Sequence, residues 1–362
     1  YPHTYFLYSI LRVFYTKKHL FHFQHLFKLL PHQRLNMATP LTYLTEGSRI
    51  FLTSWKNRLN PKTYEGTAEE ICRQIVKDCW NGSYFQTSTG NFSQFWTRDF
   101  GWCTQSLLSL GYDQEVHKTL RYALNRFMKY NAVTTTITPQ GKPFNFPKQA
   151  VDSLPWLIHS IKVSKFTYYP YKGFLNKQIR AFFETFINPH TGLVKPELYV
   201  SSMKDFAKRK SSCYDNCMVA RLAQDVEKLG LDNPFQDFNY PSLIKRHFWN
   251  GKYFYDDLTK KEYIAGDANI FPFMFGIITD KEMLQSALQQ LHAAQLDEPF
   301  PLKYTSERKH VSFIAEEIFL RNYESNAIWM HMGPLYVKLL KHVDKERAKH
   351  YKHKYTELIE KH

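Results

Sequence analysis

The sequence predicts an all-α protein, and three observations carry that expectation. Glycine is sparse, 14 among 362 residues, while aromatic side chains make up 17%. Folds built on many tight turns need more glycine, and a wide core of rings suits packed helices. From residue 66 onward apolar residues recur at i, i+3, i+4 and i+7 through most segments, the period of a helix with one buried face. Those segments run helix, loop, helix, longer loop, with no Pro/Gly/Ser-rich linker between them. A single domain of antiparallel helix pairs follows, and such pairs can close into a toroid or open into a solenoid. No repeat of about 34 or 40 residues is visible, which disfavours the solenoid.

The elements follow in order. Thr67 caps a helix over 66–80, with Glu70 three residues on completing a capping box. Helices are expected over 101–111, 114–130, 151–163, 176–187, 213–230, 241–249, 281–293 and 326–343, and a last charged helix runs over 344–362. Gly111 and Gly230 stand just past helix ends, where a left-handed residue closes the last turn. Short extended pieces fall at 188–196 and 248–263, the second turning at Asn250-Gly251.

Charge narrows the function classes. The net charge is +15, and residues 1–36 hold five basic residues, no acidic one and five of the 16 His. Met37 reads as the natural start, with 1–36 as translated upstream sequence, and a targeting segment is the competing reading. His19, His22 and His25 have no carboxylate or Cys beside them to complete a metal site. The runs at Lys204–Lys210 and Lys341–Lys354 read as solvated helix faces, with a polyanion surface as the alternative. No stretch approaches the roughly 20 apolar residues of a membrane span. The five Cys form no CxxC and read as free, mostly buried thiols of a reducing, cytoplasmic compartment. GxGxxG, GxxxxGK[ST], GxSxG and HExxH are all absent, so no nucleotide, serine-hydrolase or zinc chemistry is implied, and no cofactor or metal.

The strongest local signal is Gln94-Phe95-Trp96-Thr97-Arg98-Asp99-Phe100, which opens a helix from a Gly/Asn/Ser-rich loop. Asp99 is placed at N-cap or N1, where the helix dipole favours a carboxylate. An Arg/Asp pair beside Trp96 suits a sugar: carboxylates accept hydroxyl hydrogen bonds, and an indole stacks on the ring's apolar face. Asp152, Asp205 and Asp215 each lie where a loop runs into an apolar helix, and Asp267 and Asn269 precede another. Each alone reads as a helix cap. Together they put acids on the same end of successive helices, and in a toroid those ends line one mouth.

Five segments in this order resemble a known superfamily: Trp96-Thr97-Arg98-Asp99-Phe100, the VDSLPW of 151–156, Tyr214-Asp215-Asn216, the FWNGKYFYD of 248–256 and the NYESNAIWMHMGPLYV of 322–337. They look like the six-hairpin (α/α)6-barrel glycoside hydrolases, which include glucoamylase-like enzymes, processing α-glucosidases, mannosylglycerate hydrolases and neutral invertases. The resemblance covers roughly residues 66–343 and implies an (α/α)6 toroid acting on a carbohydrate. It implies that Trp96, Arg98 and Asp99 bind the sugar being cleaved. It implies that Asp215 sits where the mannosylglycerate hydrolase branch carries its general acid, and Asp152 where neutral invertases carry theirs. Trp329 falls in a segment that shapes the subsite wall, where Glu324 and Ser325 depart from the usual pattern. In relatives the catalytic base lies further along than residue 362. The toroid is therefore expected to be incomplete at its C-terminal edge, a catalytic domain over 37–362 with weak turnover on its own. Full turnover would place the base among Glu316, Glu317 and Glu324.

The chemistry implied is inverting, exo-acting hydrolysis of a small glycoside. One neutral carboxyl protonates the glycosidic oxygen, and a second carboxylate about 6.5–9.5 Å away activates water. Asp215, between Tyr214 and Cys213/Cys217, suits the raised pKa of an acid. Asp205, beside a Lys/Arg run, does not. Asp205, Asp267, Asn269 and Trp329 complete the expected substrate-binding set with Trp96, Arg98 and Asp99. Two alternatives stand beside this: a same-fold protein without turnover, and a basic all-α module for nucleic acid or another polyanion. Salt separates the last from a binder of neutral sugar.

Overall fold

The computed structural model describes residues 40–200, 202–312, 314, 317 and 322–361. Residues 1–36, the His19/His22/His25 spacing, the start at Met37 and Glu316 lie outside the described residues.

Helix α1 (Pro40–Leu59) leads into α2 (Ala68–Cys79). Five helix pairs follow. They are α3 (Thr97–Ser109) with α4 (Asp113–Tyr130) and α5 (Ser153–Val163) with α6 (Lys172–Phe186). Next come α7 (Cys213–Leu229) with α8 (Tyr240–Phe248) and α9 (Gly266–Met274) with α10 (Lys281–Ala293). The last pair is α11 (Gly333–Leu340) with α12 (Lys345–Lys361). The first helix of each pair packs on the first of the next: α3 on α5, α5 on α7, α7 on α9, α9 on α11. Helix α12 packs on α2, where Glu360 Oε1 accepts the Ala68 N–H at 3.0 Å. The architecture is an all-α toroid, with α3, α5, α7, α9 and α11 inside and their partners outside.

The two layers differ as their sequences require. Outer α4 buries Val116, Thr119, Leu120, Ala123, Leu124 and Phe127, a single stripe of helical period. Inner α9 buries every residue from Gly266 to Phe273, so it has no polar face to betray its period. Inner α3 and α5 approach closely at Gly101: a Cβ there would lie 2.6 Å from the Trp156 Cβ of α5. Only glycine lets these two helices meet so closely.

Several expectations hold and some are corrected. The Thr67–Glu70 capping box forms, and Gly111 and Gly230 adopt φ of +88° and +60° past their helices. The helix expected over 326–343 covers only Gly333–Leu340, because Gly333-Pro334 is a natural start and the stretch before it turns. Gly266-Asp267-Ala268-Asn269, expected as a loop, is the first turn of α9. Three strands of two residues, β1 (Phe95–Trp96), β2 (Thr136–Ile137) and β3 (Pro143–Phe144), form an antiparallel sheet in that order. The Lys204–Lys210 run is no solvated helix face. It is a loop in which Lys204 is fully buried and Arg209 nearly so. Of the five free thiols, Cys213 and Cys217 are buried, but Cys72 and Cys103 are exposed.

Candidate active site

Inner helices α3, α5, α7, α9 and α11 all begin at one end of the toroid, so the residues at their first turns share one mouth. Strand β1 delivers Trp96 directly into α3. Trp96 is the N-cap, which places Asp99 at N3, two positions deeper than the expected N1 but still inside the first turn. Arg98 Nε lies 2.7 Å from Asp152 Oδ2, and its Nη2 lies 3.8 Å from Asp205 Oδ1. Tyr214 Oη donates to the same Asp152 oxygen at 3.1 Å, and Trp156 Nε1 donates to Tyr214 at 3.3 Å. Arg98 therefore bridges α5 and the loop carrying Asp205. Burial pushes the Asp152 carboxyl up, opposed by Arg98 and Tyr214.

Asp99 is open to solvent, yet protein surrounds it closely enough to raise its carboxyl to about 6, burial acting first against Arg98. Both observations fit a group on the floor of a concavity: water reaches it from one side only. The wall is aromatic. His331 is exposed, with its ring edge-on to Trp102 at 4.7 Å and to Trp329 at 5.2 Å. Trp329 continues to Tyr323 at 4.9 Å and to Tyr304 at 5.3 Å. Crowding and Arg98 lower the His331 imidazole to about 4, so it is neutral near pH 7.

Beneath the mouth lies a buried ionic layer. Arg209 Nη1 donates to Asp267 Oδ2 at 2.8 Å and to Asp256 Oδ1 at 3.2 Å. Lys204 Nζ lies 3.5 Å from Asp256 Oδ2 and over the Tyr304 ring. Asp215 is 6% exposed. Ser202 donates to its Oδ1, and Ser212 to its Oδ2 at 2.7 Å. Burial raises the Asp215 carboxyl despite Arg209 and these two hydroxyls.

The structure thus brings Arg98, Asp99, Asp152 and Asp205 together, with Trp329 on the wall. Trp96 stands apart, edge-on to Phe92 and Phe146. Asp267 is fully buried against Arg209. Asn269 is corrected outright. Its Oδ1 accepts the Phe254 N–H at 2.8 Å, and its Nδ2 donates to Phe254 O and Ala265 O at 3.0 and 2.9 Å. No group of the amide is left for a sugar. Asn216 has the same task one hairpin earlier, holding the Val194 N–H at 3.0 Å and Ser212 O at 2.7 Å. These amides are braces, at matching positions four residues past the Ser212 and Ala265 N-caps.

Sequence reasoning missed Trp102, His331, Tyr323, Lys204 and Arg209. One signal was available for Trp102, which follows Asp99 by three residues on one helix. Glu317 accepts from Arg308 Nε at 2.9 Å, from the Glu324 N–H at 2.9 Å and from Ser325 Oγ at 3.2 Å, so both its oxygens are occupied. Among the described residues no group of three or more His, Cys, Asp or Glu is placed to hold a metal, and no helix is long and apolar enough to cross a membrane.

No sequence family and no curated protein matches the chain. Solved structures do. The rhamnosidase of Klebsiella oxytoca, solved with rhamnose bound, aligns over 79% of this chain and 54% of its own, at a TM-score of 0.51 and 8% identity. The fold of this chain is similar to that of this rhamnosidase. The α-L-rhamnosidase of Aspergillus terreus aligns over 77% of this chain and 34% of its own, at a TM-score of 0.42 and 10% identity. This chain spans about half the length of the first relative.

Proposed function

We propose that the protein is a glycoside hydrolase whose mouth grips a neutral sugar with Arg98, Asp99 and Asp205 against the Trp102/Trp329/His331 wall, the buried Asp152 holding Arg98 from beneath. One observation carries the reading: an exposed carboxyl, Asp99, follows Arg98, which pairs with the buried Asp152, on the helix that also carries Trp102 of the aromatic wall. The fold's likeness to a rhamnosidase supports it. Proton donation to the glycosidic oxygen is assigned to Asp215, as the family resemblance implies, because burial raises its carboxyl. A second reading gives that role to Asp99, since it is open and titrates near 6. The reaction is taken to be inverting.

Leaving-group dependence separates the two carboxyls. With a panel of aryl glycosides and the matching glycosyl fluorides, Asp215→Asn is expected to lose several decades of kcat on poor leaving groups and little on good ones. Asp99→Asn is expected to lose turnover on both. The opposite pattern transfers the acid to Asp99. Wild-type hydrolysis of every substrate no faster than by a variant carrying both Asp99→Asn and Asp215→Asn would overturn the glycosidase reading.

A further inference from the structure

We propose that Glu324 is a positioning residue that clamps the loop carrying Asp205 into the mouth, and that the clamp opens when its carboxylate takes a proton. The use of that loop rests on the glycosidase reading above; the clamp itself does not.

Glu324 is 1% exposed and lies in the turn before Trp329. Three successive backbone N–H groups converge on it. Asp205 N–H donates to Oε1 at 2.5 Å, Phe206 N–H to both oxygens at 2.9 Å, and Ala207 N–H to Oε2 at 2.6 Å. Consecutive N–H groups of this kind form an anion-binding nest. Both oxygens are consumed, so Glu324 has no lone pair directed at a water, and it is not the base.

The loop is anchored elsewhere at its ends. Tyr304 Oη donates to Met203 O at 2.7 Å, Lys204 pairs with Asp256, and the Lys210 N–H donates to Asp257 Oδ2 at 2.8 Å. Its middle, where Asp205 projects toward Arg98, is held at three successive N–H groups by Glu324, with one further bond from Tyr199 Oη to Phe206 O at 2.5 Å. A misplacement of about 1 Å at such a residue is enough to damage catalysis.

The charges around Glu324 set the pH response. The loop presents Asp205, Lys204 and Arg209. The Glu324 turn presents Tyr323, with Glu317 and Arg308 behind it. Tyr304 presents its hydroxyl, and α3 presents Arg98 and Asp99. Burial and Asp205 push the Glu324 carboxyl up, and the three N–H groups pull it down without cancelling that rise. A protonated Glu324 keeps one good acceptor and turns an O–H toward an N–H, so the nest loses half its ligand.

Hydrogen–deuterium exchange on the full chain tests this without any glycoside, so its failure and that of the glycosidase reading are distinguishable. At about pH 8 the peptide over 202–210 should be protected in wild type. In Glu324→Gln it should exchange about tenfold faster or more, with α7 unchanged. Corrected for the intrinsic rate, wild-type protection should fall between about pH 8 and about pH 5, while Glu324→Gln stays flat. Asp205→Asn removes the neighbouring charge and should move the release to lower pH. If Glu324→Gln does not fold, the wild-type and Asp205→Asn profiles decide alone. Protection in wild type that ignores pH, a release midpoint that Asp205→Asn leaves in place, or equal protection in Glu324→Gln would overturn the clamp.

Discussion

Asp99 titrates at about 6 in the folded protein, whereas an unfolded Asp titrates near about 3.9. The folded state therefore favours the protonated form. Its contribution to stability is fully present below about pH 3.9 and is lost as pH rises through about 6. Asp99→Asn never ionises, so its Tm relative to wild type should climb between about pH 4 and pH 7, which thermal melts will read. A flat difference would remove Asp99 from the floor of the concavity. Asp152→Asn leaves Arg98 without its partner at 2.7 Å. Because Arg98 is 22% exposed and Asp205 lies 3.8 Å from it, the loss should stay below the ~3 kcal/mol of a fully buried pair, visible as a lower urea midpoint at neutral pH. These acidic residues were legible in the sequence because each opens a helix. Lys204 and Arg209 were not, because a run of Lys and Arg carries no mark of which carbons and charges tertiary packing will cover.

At the scale of elements, the two brace amides explain how hairpins dock onto inner helices. Trp80–Phe85 and Trp249–Phe254 share the pattern W-N-G-x-Y-F, and each turns with its Asn Oδ1 accepting two backbone N–H groups. Phe254 is then held by Asn269, as Phe85 is held by Thr119 Oγ1 at 3.1 Å. Asn269→Ala strands buried backbone groups and should cost about 2–3 kcal/mol, with sugar affinity unchanged in the folded variant. A loss of affinity without loss of stability would restore Asn269 to the binding set. Gly101→Ala drives a methyl into Trp156 and should destabilise by about 1–3 kcal/mol or more as α3 and α5 part. Helical periodicity reveals the outer layer because one face of each helix is wet. It conceals α9, buried all round, and it overruns α11, whose start is set by Gly333-Pro334 rather than by hydrophobic spacing.

For the whole molecule, the toroid was readable from alternating helices and few glycines, but the mouth's wall was not. Trp102 and His331 are 229 residues apart in sequence and meet only when α11 comes round to α3. Of the net charge of +15, +5 lies in residues 1–36, outside the described residues, and the buried Lys204 and Arg209 are offset by Asp256 and Asp267, while the mouth itself holds Asp99, Asp152 and Asp205 against Arg98. Under the proposed function such a mouth takes a neutral sugar rather than a polyanion. Calorimetry with L-rhamnose, D-glucose and D-mannose, in wild type and Asp99→Asn, tests that claim most directly. At least one sugar should bind wild type with an affinity unchanged between about 50 and 200 mM salt, and Asp99→Asn should lose this binding. No binding of any sugar, together with a polyanion affinity that falls steeply as salt rises, would contradict it.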